Sequence, residues 1–539
     1  MKKINSVLYL LILPVLLIIL SILYKASIGE YFIGGFYDPA YNYLINSLNL
    51  SQFNAYGVGN FDHPGTPVQV MGAFVIKFFH MISGNDPDIA KDVFTRPEFY
   101  LSRIFIVFVL MIASALFFLG LIVYKKLNDI KSAIFLQLTP FYFSTVYYQF
   151  TNFTSEPFLI FTILIFIGIV IYFVNDPDMS KSKSMKYAVI FGLICGFGLA
   201  SKISIFPVFI IPLLLLRKIS VKVIFLVVLI LSFMAFIYPA FSSDNASKYS
   251  SWVKGVITHS GKYGEGSENF IDSEKFSTNI KTIFFTDPVF GFTYFMIFFF
   301  LIFQFFLKTG KIIRKNKYFI LLVGIFLAMS GQVFIVAKHF EPHYMIPAMM
   351  LTVFGLFVLN SVAWSIFPAY FGRNKIAYIS LVMMVFTYFQ VINITKETTY
   401  FKNRRDESYK VMNYLKENYK DMPVVTTYGS SSREFSLYLG VYWGGTQKER
   451  YSKLLNNLYP NYYYFDRWRR DFDQVSDIER MKTQLLNSGK IILQTDSKEV
   501  LNNFMEKIKL IANKPNASFK SVISNFRGEN IYEIDLNPS

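Results

Sequence analysis

Cysteine is almost missing: one thiol, Cys195, in 539 residues. A single thiol forms no intramolecular disulfide and no multi-thiolate metal site, and its place inside the apolar run FGLICGFGLA is that of a small core residue. Charge is scarce as well. Only 17% of residues are Asp, Glu, Lys or Arg against 53% hydrophobic ones, too few charges to cover a soluble chain of this length. No basic stripe is interleaved with stacking aromatics, so the net charge of +17 is better explained by cytoplasmic loops than by a nucleic-acid partner. No internal repeat, low-complexity tract or nucleotide-binding glycine loop is present.

What the sequence has in excess is apolar run. About twenty apolar residues cross a bilayer, and runs of that kind begin with VLYLLILPVLLIILSILYK near the N-terminus. That first run is too long for a signal-peptide core and no small-residue cleavage pattern follows it, so it reads as an uncleaved span. Further runs fall near residues 101–124, 131–150, 157–174, 187–204, 205–216 (short), 222–240, 288–307, 318–337, 344–362 and 376–393. This predicts a polytopic α-helical membrane protein of about eleven transmembrane helices. The 60 Phe and 36 Tyr suit lipid-facing packing and interfacial belts.

Lys and Arg gather in every second loop: Lys125, Lys126 and Lys131; Lys181, Lys183 and Lys186; Arg217, Lys218 and Lys222; Lys308 to Lys317; Arg373 and Lys375. Positive loops stay inside, which predicts a multi-pass cell (inner) membrane protein with a cytoplasmic N-terminus. The long loops 25–100 and 241–287 are then extracytoplasmic. At residue 394 the composition turns polar. Residues 1–393 read as a transmembrane domain and 394–539 as an extracytoplasmic soluble α/β domain, where the strand-like MPVVTTYG, KIILQTD and ENIYEIDL alternate with the helical IERMKTQLLNSGK and VLNNFMEKIKLIA.

Five outer segments collect polar chemistry. In YDPAYNYLINSLNL, Asp38 stands near the expected cap of a helix lying along the membrane surface, though Asp-Pro is also an ordinary helix start. In NFDHPGTPV, Asp62 and His63 precede two prolines, as in a rigid turn. Glu156, in TSEPFLIF, stands at the outer end of a span, where it is either functional or an interface anchor. Lys202 lies at the outer apex of GLASKISIFP, and no sequence neighbour neutralises it. A lysine there can also simply snorkel. The loops THSGKYG and AKHFEPHYM hold His259, Lys262 and Tyr263, and Lys338, His339, Glu341, His343 and Tyr344. Four of the five histidines thus lie in outer loops. His339 and His343 would share one face of a helix as metal ligands do, but loop histidines without that function are commoner.

Carboxylates and cations on one membrane face suit a reaction that deprotonates a nucleophile and expels an anionic leaving group. Transfer of a sugar from a polyprenyl phosphate is one. A transporter or flippase is the competing class, but it calls for ionisable residues near the bilayer midplane. A scaffold displaying the C-terminal domain would need only one span.

The order of YDPAY, DHPGTPV, TSEPFLIF, GLASK and HYMIPAM over residues 1–393 resembles the GT-C superfamily of integral-membrane glycosyltransferases, nearest the protein O-mannosyltransferase and aminoarabinose-transferase type. The resemblance implies an inverting enzyme with a lipid-phosphate sugar donor and a glycan, lipid or protein acceptor. It implies Asp38 and Glu156 as catalytic carboxylates, with Lys202 and the KHFEPHY segment (Lys338, His339, His343, Tyr344) on the donor phosphate. Asp62, His63, His259 and Tyr263 join them as candidate substrate contacts. Pro39 follows Asp38 where the family commonly has a second carboxylate, so no divalent metal is clearly indicated. The tryptophan-rich signature of oligosaccharyltransferases is absent.

Overall fold

The computed structural model describes the chain except residues 1, 36–37, 55–56, 61–64, 178–179, 242, 259–272, 307–315, 367–376 and 538–539. It divides into two compact units. The first comprises Met1–Ile22, Phe61–Val68 and Ile106–Ile394, and the second Leu23–Asn60, Gln69–Phe105 and Thr395–Ser539.

Long helices include α1 (Lys2–Ile28), α2 (Pro97–Leu127), α3 (Glu156–Val174), α4 (Lys181–Ser201), α5 (Ile219–Ile237), α6 (Lys317–Lys338), α7 (Ile346–Ile366) and α8 (Ala377–Asn418). Among the described residues seven helices are long and apolar enough to cross a membrane, or eight when the bent pair Lys275–Thr286 and Pro288–Gln304 counts as one span. The chain is therefore a polytopic α-helical membrane protein.

Where the apolar runs do not form straight spans, proline explains it, because it lacks the amide donor and its ring collides with the preceding turn. Run 131–150 breaks into Ile130–Gln137, a 3₁₀ turn holding Pro140, and Ser144–Phe150. At that break the buried Gln137 amide donates to the carbonyls of Leu10 and Leu116. Run 205–216 becomes a 3₁₀ stretch holding Pro207 followed by the short Ile210–Leu215, which holds Pro212. The run 376–393 opens α8, which continues as a helix through the polar KETTYFKNRRDESYK to Asn418.

In the first unit α4 and α5 pack side by side, with the Ser232 hydroxyl donating to the Leu193 carbonyl at 3.1 Å. Cys195 is buried there. At the far ends of α3 and α4 from Glu156 and Lys202, Asp176 accepts from the Tyr187 hydroxyl at 2.9 Å, and its carbonyl accepts from Lys317 at 2.9 Å. The basic residues there hold span ends together.

The second unit carries a six-stranded sheet in the order β3-β2-β1-β4-β6-β5, with β1 (Val424–Thr426), β2 (Tyr462–Asp466), β3 (Asp471–Phe472), β4 (Lys490–Thr495), β5 (Ser518–Ser524) and β6 (Asn530–Asp535). β1 runs parallel to β2 and β4, and the other pairings are antiparallel. The helices Ile478–Ser488 and Lys498–Ala512 bury Met481, Leu485, Phe504 and Ile508 against Val425, Phe465 and Leu493. Their apolar residues recur at helical spacing and those of the strands do not, which is why both element types were readable.

Residues Leu23–Asn60 and Gln69–Phe105 supply much of this unit. Helix Ala40–Ser51 does not lie free along a membrane surface. All but one of its residues are buried, and it packs on helix Arg433–Tyr442, where Gly440 leaves no room for a β-carbon beside the Tyr41 carbonyl. Its Asn46 and Asn49 amides donate to the carbonyls of Trp443 and Gly444, both at 3.0 Å. Buried amides need such partners, so the asparagines that look like a polar helix face in the sequence become internal pins.

Candidate functional site

In the first unit, the ends of three spans bring charge together. Glu156 is the first residue of α3, Lys202 is the extended residue that caps α4, and His343 sits in the 3₁₀ turn Pro342–Met345 between α6 and α7. The Lys202 ammonium is hydrogen-bonded to Glu156 Oε1. Glu156 and Lys202 are 2% and 3% exposed. A charge pair buried this far is tolerated only because the charges compensate each other.

His343 Nε2 stands 3.8 Å from the same Glu156 oxygen. The Lys202 ammonium lies 4.7 Å from the centre of the Tyr344 ring, within cation–π range. His343 and Tyr344 rings meet edge to face at 4.4 Å. The Gln332 amide of α6 fixes the turn by donating to the Tyr344 carbonyl at 2.6 Å. Glu156 also profits from the positive end of α3, where unpaired amides favour an anion.

The sequence offers no neighbour for Lys202, but the fold supplies one 46 residues away. Lys338 ends α6, and His339 follows it with extended backbone. That break keeps His339 and His343 off any common helix face. Among the described residues no three His, Cys, Asp or Glu side chains gather as metal ligands would.

In the second unit, Asp38 precedes the helix start at Ala40, but its side chain does not cap that helix. Its Oδ1 accepts from the Asn42 amide at 3.0 Å, and its Oδ2 faces the Tyr428 hydroxyl at 3.5 Å. Asp38 is exposed. The surrounding protein still desolvates the carboxyl and raises its pKa, while the Tyr428 hydrogen bond pulls it down. Burial, then the Asp38 charge, push Tyr428 up to about 12, so its hydroxyl keeps its proton and donates.

The turn before Asp38 is clamped. Gly34 has φ +60°, and a β-carbon there would run into the guanidinium groups of Arg404 and Arg527. Arg404 donates to the Ile33 carbonyl at 3.0 Å and Arg527 to the Gly34 carbonyl at 2.5 Å. The Gly34 amide donates to Ser431 Oγ at 2.8 Å. Ser431 in turn donates its amide and hydroxyl to Glu529, at 2.6 and 2.9 Å. Burial raises the Glu529 pKa, and the hydrogen bonds from Ser431, Gln494 and Asn525 oppose that rise.

Asp62, His63, His259 and Tyr263 lie outside the described residues. Asn42, Gln332, Tyr428 and Ser431 touch the candidate residues or fix their backbone without having stood out in the sequence. Only Asn42 carried a signal, being four residues from Asp38 in a helical pattern. No family model and no curated protein matches the sequence. Among solved structures the chain is similar to ArnT from Cupriavidus metallidurans in its crystal structure bound to undecaprenyl phosphate. The TM-score is 0.45 at 11% identity, covering 96% of this chain and 97% of that one.

Proposed function

We propose that this protein is a GT-C-type glycosyltransferase that moves a sugar from a polyprenyl-phosphate donor to an acceptor hydroxyl on the extracytoplasmic face, with inversion. The observation that carries this reading is the buried Glu156–Lys202 pair with His343 and Tyr344 at the converging ends of three spans. Ionisable groups in membrane helices are costly and mark functional sites, and this cluster lies at one end of the spans rather than at the midplane a transporter requires.

In the proposed reaction the acceptor oxygen attacks the anomeric carbon from the side opposite the phosphate. The new C–O bond forms as the bond to the phosphate oxygen breaks with its electron pair. Asp38 takes the acceptor proton. Lys202, with Lys338, His339 and His343, balances the charge of the departing lipid phosphate, and Glu156 holds Lys202 in place. Tyr344, Asp62, His63, His259 and Tyr263 are proposed substrate contacts. The direct test supplies purified protein in membranes with radiolabelled polyprenyl-phosphate sugars and follows label into lipid, glycan and protein fractions. Label that never leaves the donor across the panel would reject the reading.

The pH profile offers a finer test. A base must be deprotonated, so an Asp38 pKa raised by desolvation moves the acid limb of kcat/KM to higher pH than an unperturbed aspartate would give. Tyr428→Phe removes the hydrogen bond that lowers this pKa, and the limb is expected to move to higher pH. A limb that stays put or moves down would detach Tyr428 from the base.

Orientation is tested with single cysteines at Ser182, Ser267 and Ser488. The native Cys195 is buried and should stay silent. An impermeant thiol reagent on intact cells is expected to label the last two sites only, and labelling at Ser182 would reverse the topology.

A further inference from the structure

Between α4 and α5 runs an open groove of about 610 Å³, lined by Lys181, Ser182, Met185, Lys186, Val189 and Ile224. It lies at the start of α4, the end opposite the Lys202 cap. The two helices run parallel and in step, since a β-carbon on Gly192 would meet Val228 and one on Gly196 would meet Ser232. The same step puts Lys222 level with Lys186, so both helices bring lysine to this end.

The charge of the groove has one sign. Asp176, an acid at this end of α4, is taken: it pairs with Lys183 at 3.5 Å and accepts from the Tyr187 hydroxyl at 2.9 Å. Lys181 and Lys186 are exposed, and among the described residues no ion pair holds either ammonium and no carboxylate lines the groove. The rest of the wall is apolar. Met185, Val189 and Leu193 recur every fourth residue and are all exposed, which makes a stripe about 12 Å long down one side of α4.

Ammonium groups without counter-ions at the head of an apolar stripe fit an amphiphile with an anionic head. A soluble anion would use the lysines and leave the stripe bare. Phosphatidylethanolamine would bring its own ammonium to two uncompensated lysines. A phospholipid of net negative charge matches both halves of the groove. Its phosphate accepts from Lys181, Lys186 and the Ser182 hydroxyl, and an acyl chain lies along Met185, Val189 and Leu193.

We infer that this groove is a binding site for an anionic phospholipid such as phosphatidylglycerol. The site needs neither sugar donor nor acceptor, so its failure and that of the transferase reading are distinguishable.

The experiment reconstitutes the full chain, with a bimane fluorophore on Met185→Cys, into phosphatidylethanolamine vesicles. Cys195 is buried and stays unlabelled. Acyl-chain spin-labelled phosphatidylglycerol or phosphatidylethanolamine is added as quencher. Phosphatidylglycerol is expected to reach half-maximal quenching at a mole fraction lower by about five-fold for each lysine engaged. Lys181→Gln/Lys186→Gln should abolish that preference, and both residues are exposed, so the variant should fold. Lys125→Gln/Lys126→Gln, which removes the same charge from the end of α2, should leave it intact. Equal quenching by the two lipids, or a preference unchanged in the folded Lys181→Gln/Lys186→Gln variant, would overturn the inference. So would an equal loss with Lys125→Gln/Lys126→Gln, which marks only the general pull of a basic surface, or a preference that soluble glycerol 3-phosphate abolishes, which marks a site for a soluble anion.

Discussion

Asp38→Asn is expected to lower the rate of sugar transfer by about 10²–10⁴, the usual cost of losing a general base, while donor affinity stays nearly unchanged. The amide keeps the size of the carboxyl and can still accept from Asn42, which lies 3.0 Å from Oδ1, so the local structure should survive. What it loses is the ability to take a proton. The readouts are single-turnover transfer and donor titration on the same folded preparation. Full activity in Asp38→Asn would remove Asp38 from the chemistry.

Lys202→Met should have two separable effects. Removing one partner of a buried ion pair leaves the other charge uncompensated, at a cost of about 3–5 kcal/mol, and Glu156 at 2% exposure has no water to turn to. Thermal unfolding in detergent should therefore show a large loss of stability for Lys202→Met. Much of it should return in the double variant Lys202→Met/Glu156→Gln, which buries no net charge. Donor affinity is then measured on the double variant. If Lys202 grips the phosphate, the double variant folds and binds donor poorly. If the pair only holds α3 and α4 together, it binds donor like the wild type and the phosphate site lies elsewhere.

Much of this architecture could be read from residue order. Runs of about twenty apolar residues give the spans, and the helices Ile478–Ser488 and Lys498–Ala512 follow from apolar spacing alone. The misplaced elements have two causes: prolines inside apolar runs, and tertiary contacts that override local pattern. Prolines 140, 207 and 212 divide apolar stretches that hydropathy treats as continuous. Asn42, Asn46 and Asn49 look like a solvated face until their partners at Asp38, Trp443 and Gly444 are known. Lys202 looks unpaired until Glu156 is brought to it. Composition turns polar near residue 394 while helix α8 runs on to Asn418, because KETTYFKNRRDESYK changes polarity without containing a helix breaker. Tyr428 was invisible for a simpler reason: 390 residues separate it from Asp38, and no local spacing encodes such a meeting.

The clamp on Gly34 bears on when the turn before Asp38 can first form. The backbone leading to Asp38 is held by Arg404, by Arg527 and, through Ser431, by Glu529. Two of those four side chains, Arg527 and Glu529, lie between β5 and β6. During synthesis Asp38 leaves the ribosome long before that turn of the sheet, so its surroundings are assembled late. A chain cut before Arg527 would hold every span and still lack half of the side chains that fix the Gly34 turn.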